Sequence, residues 1–322
     1  MRRIRARAAQ PGERDARRSE AGASCSHRMM QTMSKPRVAI LGLGLMGTGM
    51  ARRLLTKGFP VAVYNRRREK AEALAADGAM VAGSPREAAV KAQLVISMVA
   101  DDAASRAVWL GENGALAGAA PGTVLIESST LTTGWVRELA AAASRQNCEF
   151  LDAPVTGTKP HAASGELLFL VGGSAGALEA ARPVLAALSR DIVHLGSTGS
   201  GATMKLVNNF LCGVQAASFA EAMALVEASG LDREQAAKIL GNGAPGSPLI
   251  RTIWARATGG ELDPNFILRL MAKDLKYSID AAKQRGLTLK TAAPAVEVFE
   301  DAAKNGYGGL DFAAVIEAQR KR

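Results

Sequence analysis

Four apolar runs of strand length mark the first half of the chain: RVAIL at 37–41, PVAVYN at 60–65, LVISMV at 94–99 and TVLIES at 123–128. None alternates with polar residues, so each predicts a strand covered on both faces, as in a parallel sheet between helical layers. The segments between them carry helical spacing, and a further run, IVHLG at 192–196, closes this alternating region. From Ala202 onwards only helical patterns broken by Gly and Pro remain. The expected architecture is an α/β domain over residues 36–196, a joint in GSTGSG at 196–201, and an all-helical domain over 197–322. Residues Ala202 to Ser229 predict one spine helix, roughly 40 Å long at 1.5 Å per residue. Its many Ala, Gly and Ser residues predict close helix approach and a self-association face.

A chain of 322 residues with 48% apolar and 22% charged residues is ordinary for globular domains with a sizeable core. The net charge of +10 changes meaning once it is located, because residues 1–35 alone carry +6. That segment lacks large apolar residues and is expected to be a disordered basic tail, placed by an upstream start site or dispensable. An organelle-targeting role is the lesser alternative, and a secretory signal is excluded by the missing apolar core. The body is mildly basic, which suits a phosphate-bearing ligand. Three Trp, three Tyr and eight Phe in the whole chain leave no aromatic-interleaved nucleic-acid face. Cys25, Cys148 and Cys212 are far apart, without a CxxC pair, which argues against a disulfide framework or a zinc site and fits a reducing, cytoplasmic setting. The apolar stretches are expected to be too interrupted to span a bilayer. His27, His161 and His194 are scattered, so no metal is expected.

RVAILGLGLMGTGM places Gly42, Gly44 and Gly47 in G-x-G-x-x-G spacing directly after a strand and at the opening of a helix. Gly42 permits the tight turn, Gly44 lets backbone approach a pyrophosphate, and Gly47 allows helix and strand to pack closely. The helix start supplies free N–H groups for the anion. Leu43, Leu45 and Met46 complete this loop. Such spacing alone marks many glycine-rich turns. Here strand, helix and second strand follow in order, so a Rossmann-type dinucleotide-binding domain is expected. The second strand ends in Asn65, followed by Arg66, Arg67 and Arg68, where an NAD site would carry an acid for the ribose 2′-OH. Guanidinium groups without a competing carboxylate favour a 2′-phosphate, so NADPH is the expected cofactor and NAD the alternative. The bland reading is that these arginines solvate a helix start.

Lys205 is the other anomaly. It stands alone in the first turns of the apolar spine helix, and no further charge follows until Glu221. A cation near a helix N-terminus opposes the macrodipole, so stability offers little reason for it. Asn208 and Asn209 follow at i+3 and i+4 on the same side, costly on a buried face unless they bind something. The dipole and desolvation would lower the lysine's pKa, which suits a general acid. The bland reading is a snorkelling side chain.

The segments GLGLMGTGMA, LGENG (110–114), DAPVTG (152–157), GATMKLVNN (201–209) and KDL (273–275) occur in the order found in the β-hydroxyacid dehydrogenases. The chain resembles this family over residues 36–320. It includes 3-hydroxyisobutyrate dehydrogenase, tartronate semialdehyde reductase and the glyoxylate/succinic semialdehyde reductases. The resemblance implies that Lys205 is catalytic and that Asn209 assists it. Thr156 and Gly157 would hold a substrate carboxylate, with Thr158 and Phe266 also against the substrate, Ser129 would touch the cofactor near the nicotinamide, and Met98 and Val99 would line its ribose. Lys273 would close over the cofactor. Thr158, Lys159 and Pro160 depart from the usual glycine-ended loop and, with Phe266 and Arg269, resemble the glyoxylate/succinic semialdehyde branch. His161 and Thr156 do not match that branch ideally. The implied activity is NADPH-dependent reduction of a small carboxylated aldehyde or keto acid to the hydroxy acid, by an enzyme that forms a homodimer or homotetramer. An NAD-using 3-hydroxyisobutyrate-type dehydrogenase and an imine reductase-like enzyme are the alternatives.

Overall fold

A computed structural model describes residues 35–320. The tail expected over 1–35 lies outside the described residues, apart from Lys35. The apolar runs become strands β1 (Val38–Leu41), β2 (Val61–Tyr64), β4 (Leu94–Ser97) and β5 (Val124–Glu127), with β3 (Met80–Val81) between the second and third. β6 (Glu149–Asp152), β7 (Val155–Thr156), β8 (Leu167–Gly173) and β9 (Ser189–His194) follow. The nine strands run in the order β3-β2-β1-β4-β5-β6-β8-β7, with β9 on β8. β1 to β6 are parallel, β8 turns antiparallel against β6, and β9 pairs parallel with β8. The sheet is therefore mixed at one edge, where a wholly parallel one was expected. Successive β6, β7 and β8 are joined by connections too short for parallel crossovers.

Helices between the strands cover both faces. They are α1 (Leu45–Thr56), α2 (Glu69–Glu72), α3 (Pro85–Ala89), α4 (Asp102–Trp109), α5 (Thr133–Arg145), α6 (Lys159–Ser164) and α7 (Ala175–Leu188). Strand residues alternate between two buried clusters. Val38, Ile40 and Ile96 pack toward α1 and α7, and Ala39, Leu41 and Val95 toward Trp109, Trp135 and Leu139. This two-sided burial is why the strands read as continuous apolar runs. β1 lies between β2 and β4, the switch point outside whose carboxyl ends open α/β sheets bind ligands.

The spine helix is α8 (Ser200–Ala228), followed by α9 (Arg233–Asn242), α10 (Pro248–Thr258), α11 (Leu268–Lys283), α12 (Ala292–Ala302) and α13 (Val315–Ala318). Phe219, Trp254, Leu275 and Phe299 anchor their shared core. α8 does have the length and apolarity of a membrane span, at mean hydropathy 1.3 over its best window, against the expectation that no stretch would. Here it packs instead on β8, α11, α12 and α13. Gly201 is required at its start, since a Cβ there would stand 2.2 Å from the Leu170 carbonyl oxygen on β8. Gly213 serves α11 likewise, with Leu275 side-chain carbons 2.8–3.0 Å from where a Cβ would be.

Candidate active site

Gly42 adopts φ +95°, and a Cβ there would lie 2.4 Å from Met98 O; one on Gly47 would lie 2.0 Å from Gly42 O. Both are therefore needed by the protein's own packing. Gly44 is different, because nothing lies within 4 Å of its Cβ position. It is the N-cap of α1, with no side chain capping the helix and no acid in the first turn. Exposed backbone, free helix N–H groups and open space are what a pyrophosphate requires. Two buried hydroxyls at the carboxyl ends of β4 and β5, Ser97 Oγ and Ser128 Oγ, also lack hydrogen-bond partners. The residues present fit a dinucleotide. Leu45 and Met46 are half-buried at this opening, whereas Leu43 turns its side chain into the core and donates its N–H to Asn65 Oδ1 at 2.9 Å. Its expected cofactor contact is corrected accordingly, because both of its usable groups are engaged.

Asn65 also donates Nδ2–H to Arg67 O (2.9 Å), so its amide ties the end of β2 to the glycine loop. Arg68 pairs with Glu72 at 2.8 Å and Arg67 lies 3.9 Å from Glu69, as the solvating reading of these arginines requires. Arg66 is exposed and in no ion pair among the described residues, leaving it as the guanidinium available to a 2′-phosphate.

Lys205 lies in the second turn of α8, half-buried. Burial pushes its pKa below the ordinary lysine value; Asp274 and Cys212 oppose that shift and Lys273 reinforces it. Desolvation, one of the two expected causes, is the largest. The α8 N-terminus is capped by a fully buried carboxylate, Asp152, which accepts from Gly199 N and Ala202 N at 2.8 Å each. That negative charge offsets the dipole where Lys205 would feel it. The helix carrying the lysine is thus fastened to the end of β6.

The two asparagines do not wait for a ligand. Asn209 Nδ2 donates to Asp274 Oδ2 at 2.5 Å, and Asn209 Oδ1 accepts from Asn208 Nδ2 at 2.9 Å. Asp274 is buried, and its Oδ1 meets Lys273 Nζ at 2.9 Å as an ion pair without hydrogen-bond alignment. Lys273 Nζ also donates to Thr130 O at 2.6 Å in the loop after β5. Ser278 Oγ lies 3.0 Å from Leu206 O and 2.8 Å from Asp274 O, joining α8 to α11. Asn209 accordingly braces Asp274 and α11, and no hydrogen bond joins it to Lys205 among the described residues.

β8 brings the substrate loop and the lysine helix to one place. Its Leu168 partners Thr156, and its Leu170 carbonyl faces Gly201 of α8. Thr156 is half-buried and Gly157 is exposed at φ +118°. Thr158 departs from the expected substrate contact. Its N–H and Oγ lie 3.2 and 3.0 Å from His161 Nδ1, forming a capping box at the start of α6. Phe266 is likewise occupied, packing edge-on to Phe312 at 5.6 Å while its N–H bonds Asp311 Oδ2. Arg269 is exposed. Ser129 is buried and accepts Val99 N–H on Oγ at 2.8 Å, and Met98 and Val99 are half-buried above the Gly42 turn. Asp152, Asp274 and Glu127 were missed as individual residues, and His161 was named without its role as the partner of Thr158. Their one local signal is a charged or polar group adjoining an apolar run.

Dinucleotide-dependent redox chemistry is what this combination serves, and the chain falls in that class of oxidoreductase. The family profile described as the NAD binding domain of 6-phosphogluconate dehydrogenase matches residues 37–196. The profile described as NAD-binding of NADP-dependent 3-hydroxyisobutyrate dehydrogenase matches 199–319. The NAD-dependent L-serine dehydrogenase of Pseudomonas aeruginosa is 36% identical, over 86% of this chain and 96% of its own. Glyoxylate/succinic semialdehyde reductase 1 of Arabidopsis thaliana is 33% identical over 87% and 97%. The crystallised 3-hydroxyisobutyrate dehydrogenase of Mycobacterium tuberculosis with L-serine superposes with a TM-score of 0.81, at 32% identity over 89% of this chain and 100% of that one. The chain belongs to the β-hydroxyacid dehydrogenase family and has NAD(P)-binding domains.

Proposed function

We propose that this chain is an NADPH-dependent reductase of a small carboxylated aldehyde or keto acid, of the glyoxylate or succinic semialdehyde type. Residues 36–196 would hold the cofactor, and 197–322 would complete the substrate site and the oligomer. The observation that carries the reading is the desolvated ammonium of Lys205, on a helix whose start is fastened by Asp152 and packed on β8, the strand that also pairs with Thr156. When bound, the dinucleotide supplies the hydride. Lys205 donates its proton to the carbonyl oxygen as negative charge develops there, and the neutral lysine takes it back in the reverse reaction. Ser129, whose Oγ accepts Val99 N–H, stands at the cofactor end of this site. Thr156 and the Gly157 backbone orient the carboxylate. Arg66 and the missing acid at the end of β2 support NADPH over NADH. Similarity to reductases named for glyoxylate/succinic semialdehyde and for 3-sulfolactaldehyde supports a short anionic aldehyde. Met204, Val207, Leu211 and Leu225, on α8 at 41–69% exposure, support self-association through this helix.

The test is turnover of glyoxylate, succinic, tartronate and methylmalonate semialdehydes, each with NADPH and with NADH. Reduction of at least one with NADPH preferred is expected. No turnover of any of them would sink the proposal.

A further inference from the structure

We propose that Glu127 is a positioning residue for the nicotinamide end of the cofactor site, fixing the loops that carry Val99 and Ser129 before the dinucleotide arrives. The proposal rests on the reading that this chain binds NADPH.

β5 is Val124, Leu125 and Ile126 followed by Glu127, and all four are buried. An apolar fourth residue would continue the pattern at no desolvation cost. Instead a carboxylate with no solvent exposure and no ion pair among the described residues stands beside Ser97 of β4. Donors surround it. Oε2 accepts from Ser105 Oγ at 2.6 Å and from Trp109 Nε1 at 2.8 Å, both on α4. Oε1 accepts from Ser129 N at 2.9 Å. Ser129 Oγ in turn accepts from Val99 N at 2.8 Å, and Trp135 Nε1 on α5 donates to Ser105 Oγ at 2.9 Å.

Burial raises the Glu127 pKa, while Ser105, Ser129 and Trp109 hold it down by hydrogen bonding. Both carboxyl oxygens are engaged as acceptors, Oε2 twice and Oε1 once. Carboxylate and donors are therefore a matched set, and losing one member leaves buried donors unpaired. The set is anchored in α4 and α5 but ends at the loops after β4 and β5. Those loops leave the carboxyl edge of the sheet, the one after β4 lying against the Gly42 turn that follows β1. The outcome is a Ser129 whose N–H is held by Glu127 and whose hydroxyl oxygen is held by Val99 N–H, so both loops are fixed through one residue. A residue needed for folding alone would not have to join the two loops.

Fluorescence titration with NADPH, and with adenosine 2′,5′-bisphosphate as the fragment lacking nicotinamide, tests this. Glu127→Gln is expected to weaken NADPH about tenfold, the equivalent of one lost charged hydrogen bond, and to leave the fragment unchanged. Emission of the bound dihydronicotinamide should also move toward that of free NADPH. Ser105→Ala, which deletes a single donor, should act in the same direction by about threefold and serves if the first variant does not fold. Unchanged NADPH affinity, or equal weakening of NADPH and fragment, would overturn the proposal. Wild-type protein that binds the fragment but not NADPH would instead overturn the functional reading beneath it.

Discussion

Replacing Asp152 by asparagine removes one of two acceptors at the start of α8 and turns an amide N–H₂ toward a helix N–H. The carboxylate has no solvent exposure, and its two hydrogen bonds, to Gly199 N and Ala202 N, are both 2.8 Å. Each such charged bond contributes about 1.5–3 kcal/mol, and an orphaned buried donor costs about 1–3 kcal/mol. Set against this is the desolvation that raises the Asp152 pKa, a cost the neutral amide escapes. The net loss is about 2 kcal/mol, or about 3 °C in Tm for a chain of 322 residues at about 2.1 cal/mol/K of unfolding entropy per residue. Lys205 is three residues beyond Ala202, so loosening the first turn also displaces its ammonium. A shift of about 1 Å in a catalytic group costs up to about 10²-fold in rate, so kcat should fall at least tenfold while NADPH affinity holds. Thermal melts and steady-state kinetics with saturating cofactor read both effects. Gly172→Ala should act alike, since its Cβ would come within 2.6 Å of Asp152 Oδ1. A variant Asp152→Asn within about 1 °C of wild type and with unaltered kcat would refute the fastening of the lysine helix by this carboxylate.

Lys205→Met should lower kcat at least about 10²-fold with little change in NADPH affinity, and surviving turnover would remove the proton-donor role. The same variant should be no less thermostable, because the buried ammonium is a cost to the fold. The lysine's folded pKa lies below its unfolded one, so the unfolded chain binds more protons between the two values and stability rises with pH across that window. Reduction should decline as pH rises through this lowered pKa and oxidation should grow; a reduction rate that is flat up to the ordinary lysine value of 10.5 would contradict it. Arg66→Ala should weaken NADPH about tenfold and NADH hardly at all, as loss of one charge-assisted phosphate contact implies, and equal weakening would discard the 2′-phosphate assignment.

Much of this protein is local in origin and was legible along the chain. Strand-length apolar runs at β1, β2, β4 and β5 record burial on both faces, and glycine spacing after β1 records a turn that only glycine can make. The switch from strand to helix after residue 196 and the isolation of Lys205 are also one-dimensional facts. The short strands β3 and β7 escaped because two residues carry no period, and β6 and β8 also went unassigned. Thr158 and Phe266 were assigned to substrate by likeness, and only the folded chain shows the first capping α6 and the second packed on Phe312.

The carboxylates show the division most clearly. Asp152 acts on N–H groups 47 and 50 residues away, and Asp274 on an amide 65 residues away. Glu127 gathers donors from α4 and from the loop after its own strand. Hydrophobic period and turn chemistry depend on neighbours in sequence, so the chain alone determines them. What a buried charge does depends on which donors the packed elements bring within about 3 Å, and tertiary structure alone decides that.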